Sequence, residues 1–257
     1  MSQAIIIFGP SQGGKNFFAD QVIETINRLG DESVISAPYA TKYTSRPLRK
    51  NDDPSVKSYP DGNFPPEVDF KEYLKEDNLH VGYSSSEILA LINDGKYPVI
   101  CTGTMELVRR LNYYLNVSLN KDGDTMKRNC TIVSTYGFIA SEKSILAEQK
   151  VRYGDTIDAS KVGELAKKRV ELNRLLHKQV VETEDFFDDT VRNMYLPYHY
   201  WQKHNDKFGE HARWIGALVK MNKPLGPEDK ERATKFMEFD LASIKPLTDD
   251  EITIVGG

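Results

Sequence analysis

The chain has 257 residues, a formal net charge of −4, 39% hydrophobic residues and 28% charged residues. This composition excludes an intrinsically disordered chain and indicates a globular protein with one large or two small domains. The acidic balance disfavours a broad nucleic-acid surface, although a local arginine cluster can still bind a small anion. No stretch approaches the ~20 apolar residues of a membrane span, and the N-terminus does not resemble a signal peptide, so we expect a cytoplasmic protein.

The first predicted elements surround a glycine-rich turn. Residues 4–8 form a continuous apolar run that ends at Gly9, as in a strand buried on both faces of a parallel sheet. A helix is predicted over 15–29, because its apolar residues recur at helical spacing before a glycine. A short second strand is predicted over 33–38.

The middle of the chain is a proline-rich segment followed by regular elements. Residues 40–66 contain five prolines and clustered charges without a lasting period, so they are predicted as a long functional loop. Helices are predicted over 67–76 and 84–94, the second with a serine cap. A buried strand over 97–104 and a helix over 105–115 follow.

The last part of the chain continues the alternation. A fourth strand is predicted over 130–136, a helix from Ser141, a long charged helix within 151–182 and a weak last strand within 188–196. Strands that alternate with helices predict an α/β fold with a doubly wound parallel sheet of about five strands, flanked by helices. Ligands of such sheets bind at the carboxyl ends of the strands.

The segment "GPSQGGK", from Gly9 to Lys15, completes the pattern G-x-x-x-x-G-K between the predicted strand and helix. Its backbone N–H groups and the helix N-terminus would surround phosphates, and Lys15 would reach the β- and γ-phosphates of ATP. The alternative is a structural glycine turn. The predicted ATP-binding residues of this segment are Gly9, Pro10, Ser11, Gln12, Gly13, Gly14, Lys15, Asn16 and Phe17.

Asn16 follows the lysine at the position where a serine or threonine hydroxyl usually binds magnesium. Its amide oxygen can coordinate Mg²⁺, but it lies farther from the backbone than a hydroxyl, and Mg²⁺ tolerates little distortion. We therefore predict Asn16 as the metal-binding residue and Mg²⁺, bound with ATP, as the cofactor. The ion is then held partly through water, or catalysis is weakened.

A second candidate site lies in "YTSRPLRK", where Arg46 and Arg49 occupy a proline-stiffened loop. Two arginines three residues apart can hold one phosphate with charge-assisted, fork-shaped hydrogen bonds. A solvated basic loop is the alternative, but the phosphate loop in the same chain favours an acceptor-phosphate site.

These two motifs resemble those of the guanylate kinase family of nucleoside monophosphate kinases. "GPSQGGK" is similar to the family's G-P-S-G-x-G-K, and "TSRPLR" to its T-x-R-x-x-R phosphate clamp. The resemblance implies a P-loop kinase fold in which Arg46, Arg49, Tyr59 and Tyr83 bind the phosphorylated acceptor.

Two later segments extend the resemblance. "RYGDTIDASKVGELAKKRV" resembles the family's lid and following helix, which implies a lid over about 148–165. Arg152 and Arg169 would then be catalytic arginines that neutralise the transferred group on lid closure, with surface salt bridging as the alternative. "DDTVRN" resembles the strand that ends near the adenine, which implies that Asn193 binds ATP.

The chain also departs from the guanine-specific enzymes. "ICTGT" places Cys101 and Gly103 where those enzymes carry acidic residues, and Glu148 replaces an expected arginine. The segment expected to carry another guanine-binding glutamate, "EDNLH", matches poorly. Asn16 and the "TGT" ending are closer to the ribose bisphosphokinase branch, whose members phosphorylate a sugar phosphate.

These observations predict a kinase domain over 1–195, with an acceptor-binding region over about 40–95, and a helical extension over 196–257 that packs on the same domain. The predicted function is an ATP-dependent phosphotransferase, a nucleoside or deoxynucleoside monophosphate kinase that is not strictly guanine-specific. A ribose-phosphate kinase and a catalytically silent binding module are the alternatives. ATP and a phosphorylated small molecule are the predicted partners; no membrane partner is expected, and a homodimer is left open.

Overall fold

The computed structural model describes residues 3–9, 15–28, 36–50, 52–74, 78–116, 118–119, 126–127, 132–139, 164, 167–168, 170–172, 174–175 and 192–197. In chain order its elements are β1 Gln3–Phe8, α1 Lys15–Arg28, β2 Lys42–Thr44, β3 Val56–Ser58, β4 Phe70–Leu74, β5 Leu79–Tyr83, α2 Ser85–Asn93, β6 Val99–Thr102, α3 Met105–Asn116, β7 Ser118–Leu119, β8 Met126–Lys127, β9 Ile132–Ile139 and β10 Arg192–Pro197.

The main sheet contains four parallel strands in the order β10-β9-β1-β6. Side chains alternate between its faces, and β1 is buried on both, as the apolar run over 4–8 predicts. On one face Ile6 and Phe8 pack with Ile100 and with the buried side of α3. The first strand is therefore central.

A short segment extends the main sheet beyond β6. Tyr39 forms a parallel bridge with Val99, and the N–H of Ala40 donates to the Val99 carbonyl at 2.8 Å. The strand predicted over 33–38 thus corresponds to this short pairing around Tyr39. Among the described residues, four of the about five expected strands form a continuous ladder.

The helices predicted over 84–94 and 105–115 are confirmed as α2 and α3. The hydroxyl of Ser84 caps α2 by accepting the N–H of Glu87 at 3.3 Å. Gly95 ends it with φ +75°, a backbone conformation that glycine adopts without strain.

The segment 40–76 differs from its predicted loop and helix. It contributes β2, β3 and β4 to a second, four-stranded mixed sheet in the order β3-β2-β5-β4, named here the small sheet. The predicted helix over 67–76 is wrong, because Phe70, Glu72 and Leu74 share one face of a strand that pairs antiparallel with β5. Strand pairing with distant residues is not visible in local periodicity.

The later predictions are tested only in part. The described residues between 164 and 175 are helical, as expected of the long charged helix, and β10 overlaps the predicted last strand. The phosphate-loop residues 10–14, the lid apart from residue 164, Arg152, Arg169 and nearly all of the extension over 196–257 lie outside the described residues. No described helix has the length and apolar character needed to cross a membrane.

Gly82→Ala tests the packing of the small sheet. A Cβ atom at Gly82 would lie 2.6 Å from Cγ1 of the buried Val68 and 3.0 Å from the carbonyl oxygen of Phe70. We expect this substitution to lower the free energy of unfolding by roughly 1–3 kcal/mol in urea titrations. Gly103→Ala is the control, because its nearest atom would be 3.9 Å away. Equal stability of both variants would contradict the packing described.

Candidate functional site

The site lies where the carboxyl ends of β1 and β6 meet. Gly9 follows β1, and Gly103 follows β6; a Cβ atom on Gly103 would lie 3.9 Å from the carbonyl oxygen of Gly9. Lys15 is half-buried at the first position of α1, directly after the predicted phosphate loop. This is the edge at which ligands of parallel α/β sheets bind.

Cys101 is the buried residue around which charged side chains gather. Burial raises the pKa of its thiol to about 12, although the positive charges of Lys15 and Lys42 act in the opposite direction. The thiol is therefore protonated at neutral pH. Lys15 belongs to α1 and Lys42 to the small sheet, so both parts of the molecule lie within electrostatic range of Cys101.

The carbonyl group of Cys101 receives two hydrogen bonds from the small sheet. The hydroxyl of Tyr83 donates to it at 2.5 Å, and Nζ of Lys42 donates at 3.4 Å. Tyr83, predicted to bind the acceptor, is itself 1% exposed. Its hydroxyl is engaged in joining β5 to β6.

Arg46, the first arginine of the predicted clamp, forms a two-pronged ion pair with Asp52. Its Nη1 and Nη2 atoms each lie 2.6 Å from one carboxylate oxygen of Asp52. The backbone N–H of Arg49 donates to the same carboxylate at 2.7 Å. These hydrogen bonds from Arg46, opposed by burial, hold the pKa of Asp52 below its ordinary value of 3.8.

The backbone and the side chain of Arg46 each make a further hydrogen bond. The hydroxyl of Ser58 donates to the Arg46 carbonyl at 2.8 Å, and Nη1 also donates to the Pro47 carbonyl at 2.9 Å. Asp52 occupies the Nη1–Nη2 edge of the guanidinium, while Nε makes no hydrogen bond to the described residues. The Nε–Nη2 edge is thus the one available for an oxyanion.

Tyr59 and its aromatic neighbours form the other side of the small sheet. The Tyr59 ring lies 5.8 Å from the Tyr43 ring and 6.0 Å from the Phe64 ring, between centroids. The hydroxyl of Tyr43 donates to Glu87 at 3.0 Å, and Lys57 lies 3.4 Å from the same oxygen. Tyr59 therefore packs against Tyr43, whose hydroxyl is hydrogen-bonded to the Glu87 carboxylate that pairs with Lys57.

Asn16 and Asp20 test whether the chain builds a magnesium site. The hydroxyl of Tyr39 donates to an Asp20 carboxylate oxygen at 2.7 Å and lies 3.3 Å from the backbone carbonyl oxygen of Asn16. Among the described residues, no three His, Cys, Asp or Glu side chains are grouped so as to hold a metal ion. A protonated thiol at Cys101 does not supply the oxygen ligand that Mg²⁺ prefers. A magnesium ion here would have to take most of its oxygen ligands from ATP and water.

Three candidate residues, Glu72, Thr104 and Lys42, were missed from the sequence. The hydroxyl of Thr104, just after β6, donates a hydrogen bond to the carboxylate of Glu72 on β4, and burial raises the pKa of Glu72. Glu72 was missed because it was assigned to the helix predicted over 67–76. In the strand that forms instead, the residues on the same face as Glu72 are two positions away along the chain. Lys42 was missed because nothing local indicates that it reaches Cys101.

The remaining predicted site residues are placed less completely. Asn193 lies on β10, paired with Thr135 of β9, so one strand separates it from β1. Arg49 is exposed in the loop after β2. The predicted lid arginines Arg152 and Arg169 lie outside the described residues, as do the phosphate-loop residues between Gly9 and Lys15.

Comparison with known proteins finds distant similarity among solved structures. No family model matches the chain, and no curated protein matches it. Among solved structures, the chain is similar to guanylate kinase from Anaplasma phagocytophilum, with 8% sequence identity, 86% coverage of each chain and a TM-score of 0.46. At this distance the similarity assigns neither activity nor substrate.

Asp52→Asn tests the ion pair in the clamp. It is expected to lower the free energy of unfolding at neutral pH by roughly 1–3 kcal/mol, because the partly buried guanidinium of Arg46 loses its counter-ion. The folded-state pKa of Asp52 is depressed, so this contribution is present above the unfolded pKa and is lost as the pH falls below 3.8. Urea titrations of both proteins between about pH 3 and pH 7 measure it.

Asp94→Asn is the matched control, because Asp94 forms only an exposed ion pair with Lys96 at 3.4 Å. It should change stability little at any pH. A stability loss in Asp52→Asn that stays constant down to pH 3 would show that charge pairing with Arg46 is not its cause.

Proposed function

We propose that this protein is an ATP-dependent phosphotransferase that transfers the γ-phosphate of ATP to a phosphorylated small molecule. The acceptor proposed first is a nucleoside or deoxynucleoside monophosphate. One observation carries the proposal. Lys15 of the phosphate-loop motif acts electrostatically on Cys101, and the small sheet, whose loop after β2 carries Arg46, contacts Cys101 through Lys42. A donor site and an acceptor site would then share the carboxyl edge of the main sheet.

The donor side would be formed by residues 9–17. Backbone N–H groups of the glycine-rich segment and the N-terminus of α1 favour the negative charge of the phosphates. Lys15 would neutralise charge on the β- and γ-phosphates of ATP. Magnesium would arrive bound to ATP, which supplies phosphate oxygens and waters as ligands, with the amide oxygen of Asn16 as a protein ligand.

The acceptor side would be formed by the small sheet. The free Nε–Nη2 edge of Arg46 would hold two oxygens of the acceptor's phosphate, with Arg49 close by on the same loop. Glu72 on β4 and Thr104 just after β6 are proposed to contact the remainder of the acceptor. A neutral Cys101 and Gly103 at the end of β6 favour an acceptor other than guanine nucleotides.

The proposed reaction needs no covalent enzyme intermediate. An oxygen of the acceptor's phosphate attacks the γ-phosphorus while the bond from that phosphorus to the β–γ bridging oxygen breaks, and ADP leaves. The chain contributes orientation of the two phosphates and cationic neutralisation. Arg152 and Arg169 are proposed to add positive charge from the lid on closure.

Two alternatives use the same site. A ribose-phosphate kinase would use Arg46 in the same way, and the hydrogen-bonded Glu72–Thr104 pair, in place of acidic residues after β6, favours a sugar hydroxyl as well as a base. A catalytically silent module that binds a phosphorylated partner is favoured by the lack of a grouped metal-ligand set among the described residues.

Release of ADP from ATP and Mg²⁺, measured with a panel of ribonucleoside and deoxyribonucleoside monophosphates and ribose phosphates, tests the proposal. Turnover with one acceptor is expected to fall by about 10²-fold or more in Lys15→Ala, because the charge of the phosphates is then not neutralised. Lys96→Ala, in an exposed ion pair, is the control.

ATP binding, measured by equilibrium dialysis, separates the alternatives. A protein that binds ATP but turns over only with a ribose phosphate is the sugar-phosphate kinase. Absence of both turnover and ATP binding would overturn the phosphotransferase and leave the binding module.

A further inference from the structure

The side chain of Lys42, on β2, places an amino group beside the backbone of Cys101. This half-buried side chain extends from the small sheet to the end of β6, where Nζ lies 3.4 Å from the Cys101 carbonyl oxygen. That bond uses one of three N–H donors of the ammonium group. No described carboxylate forms an ion pair with Lys42.

Among the described residues, the surroundings of Lys42 do not compensate its charge. Burial lowers the pKa of Lys42, and the neighbouring charges of Arg46 and Arg49 act in the same direction. Asp52 acts in the opposite direction, but both of its carboxylate oxygens are engaged by Arg46. The thiol of Cys101 is protonated at neutral pH and offers no negative charge. A partly buried cation without a counter-ion is unfavourable until an anion binds.

Lys42 and the residue it contacts, Cys101, interact electrostatically with cations of both proposed phosphate sites. Lys42 is within electrostatic range of Arg46 and Arg49 on the acceptor side. Lys15, on the donor side, is in turn within electrostatic range of Cys101, whose carbonyl Lys42 contacts. Among the described side chains, Lys42 thus connects the two groups of cations.

We propose that Lys42 is a phosphate-binding residue of the transfer site, whose two remaining N–H groups donate to oxygens of the phosphoryl group that passes from donor to acceptor. Its role in transfer rests on the proposed function, whereas its binding of a phosphate oxyanion does not. The lysine would supply positive charge at a place where the described residues build no metal site.

Chemical labelling of the wild-type protein tests the oxyanion site without requiring activity. Pyridoxal 5′-phosphate is the probe: its aldehyde condenses with a neutral lysine amine, water leaves, and borohydride reduces the imine to a stable secondary amine. We expect modification at Lys42, mapped by mass spectrometry at pH 8, to exceed that at Lys57, because the lowered pKa of Lys42 leaves more of its amine neutral.

Lys57 is the internal control because it lies on the same small sheet. Its hydrogen bond to Tyr43, the largest cause, raises its pKa, whereas the pKa of Lys42 is lowered. Inorganic phosphate and pyrophosphate should each protect Lys42 from modification and leave Lys57 unchanged. Labelling of Lys42 that neither anion reduces, or labelling no greater than that of Lys57, would overturn the oxyanion site.

The catalytic role is tested with Lys42→Met, Lys42→Arg and the control Lys57→Met, on whichever acceptor the panel identifies. Lys42→Met should lower kcat by about 10²-fold with the KM for ATP changed less than about threefold, and Lys42→Arg should recover part of kcat. A merely structural lysine would affect urea stability and leave kcat of the folded fraction unchanged.

The two proposals fail separately. Phosphate-protected labelling of Lys42 in a protein with neither turnover nor ATP binding would support the oxyanion site and contradict the phosphotransferase. Full turnover in folded Lys42→Met would overturn the role of Lys42 in transfer and leave the phosphotransferase intact.

Discussion

The carbonyl oxygen of Cys101 is the point on which the arrangement of the site depends. It accepts hydrogen bonds from Tyr83 on β5 and from Lys42 on β2, so two strands of the small sheet are attached to the end of one main-sheet strand. Arg110 of α3 adds a third attachment through the carbonyl of Lys71 on β4, at 3.1 Å. Because these attachments lie on different strands, the small sheet is fixed in orientation as well as position. The clamp loop that follows β2 is thereby held beside the carboxyl edge of the main sheet.

Charge in the site is arranged in a way that suits an anionic ligand, although the whole protein is acidic. The cations Lys15 and Lys42 around Cys101 come from separate elements, and the carboxylates of Asp20 and Asp53 also act on it. Asp52, the described carboxylate that contacts the clamp, is engaged in orienting Arg46. At a separation of 4 Å and an effective dielectric constant near 20, two unit charges interact by about 4 kcal/mol. Positive charges brought together at such a partly buried edge therefore repel one another until an oxyanion binds. This constraint favours a phosphate-binding role for the site over a purely structural one.

The elements that could be predicted are those that local sequence specifies. The apolar run of β1, the serine cap and glycine end of α2, and the apolar face of α3 each follow from residues within one element, and all three were correct. The small sheet was not predicted, because β2, β3 and β4 are short and pair with residues as many as 39 positions away. Phe70 and Glu72 were assigned to a helix for this reason. The ion pair of Arg46 with Asp52 was not predicted either, because it depends on a turn that brings Asp52 back to Arg46.

The sequence by itself determined the strand before "GPSQGGK" and the helix that begins at its lysine, the presence of two arginines on one proline-rich segment, and the neutral residue at position 101. Only the tertiary structure decided that Lys42 reaches Cys101, that Asp52 leaves one edge of Arg46 available, and that Glu72 meets Thr104. The physical reason is the range of the interactions involved. Backbone conformation and apolar periodicity act within a few residues, whereas hydrogen bonds and charge pairs in the site join side chains that come close only after the two sheets have packed.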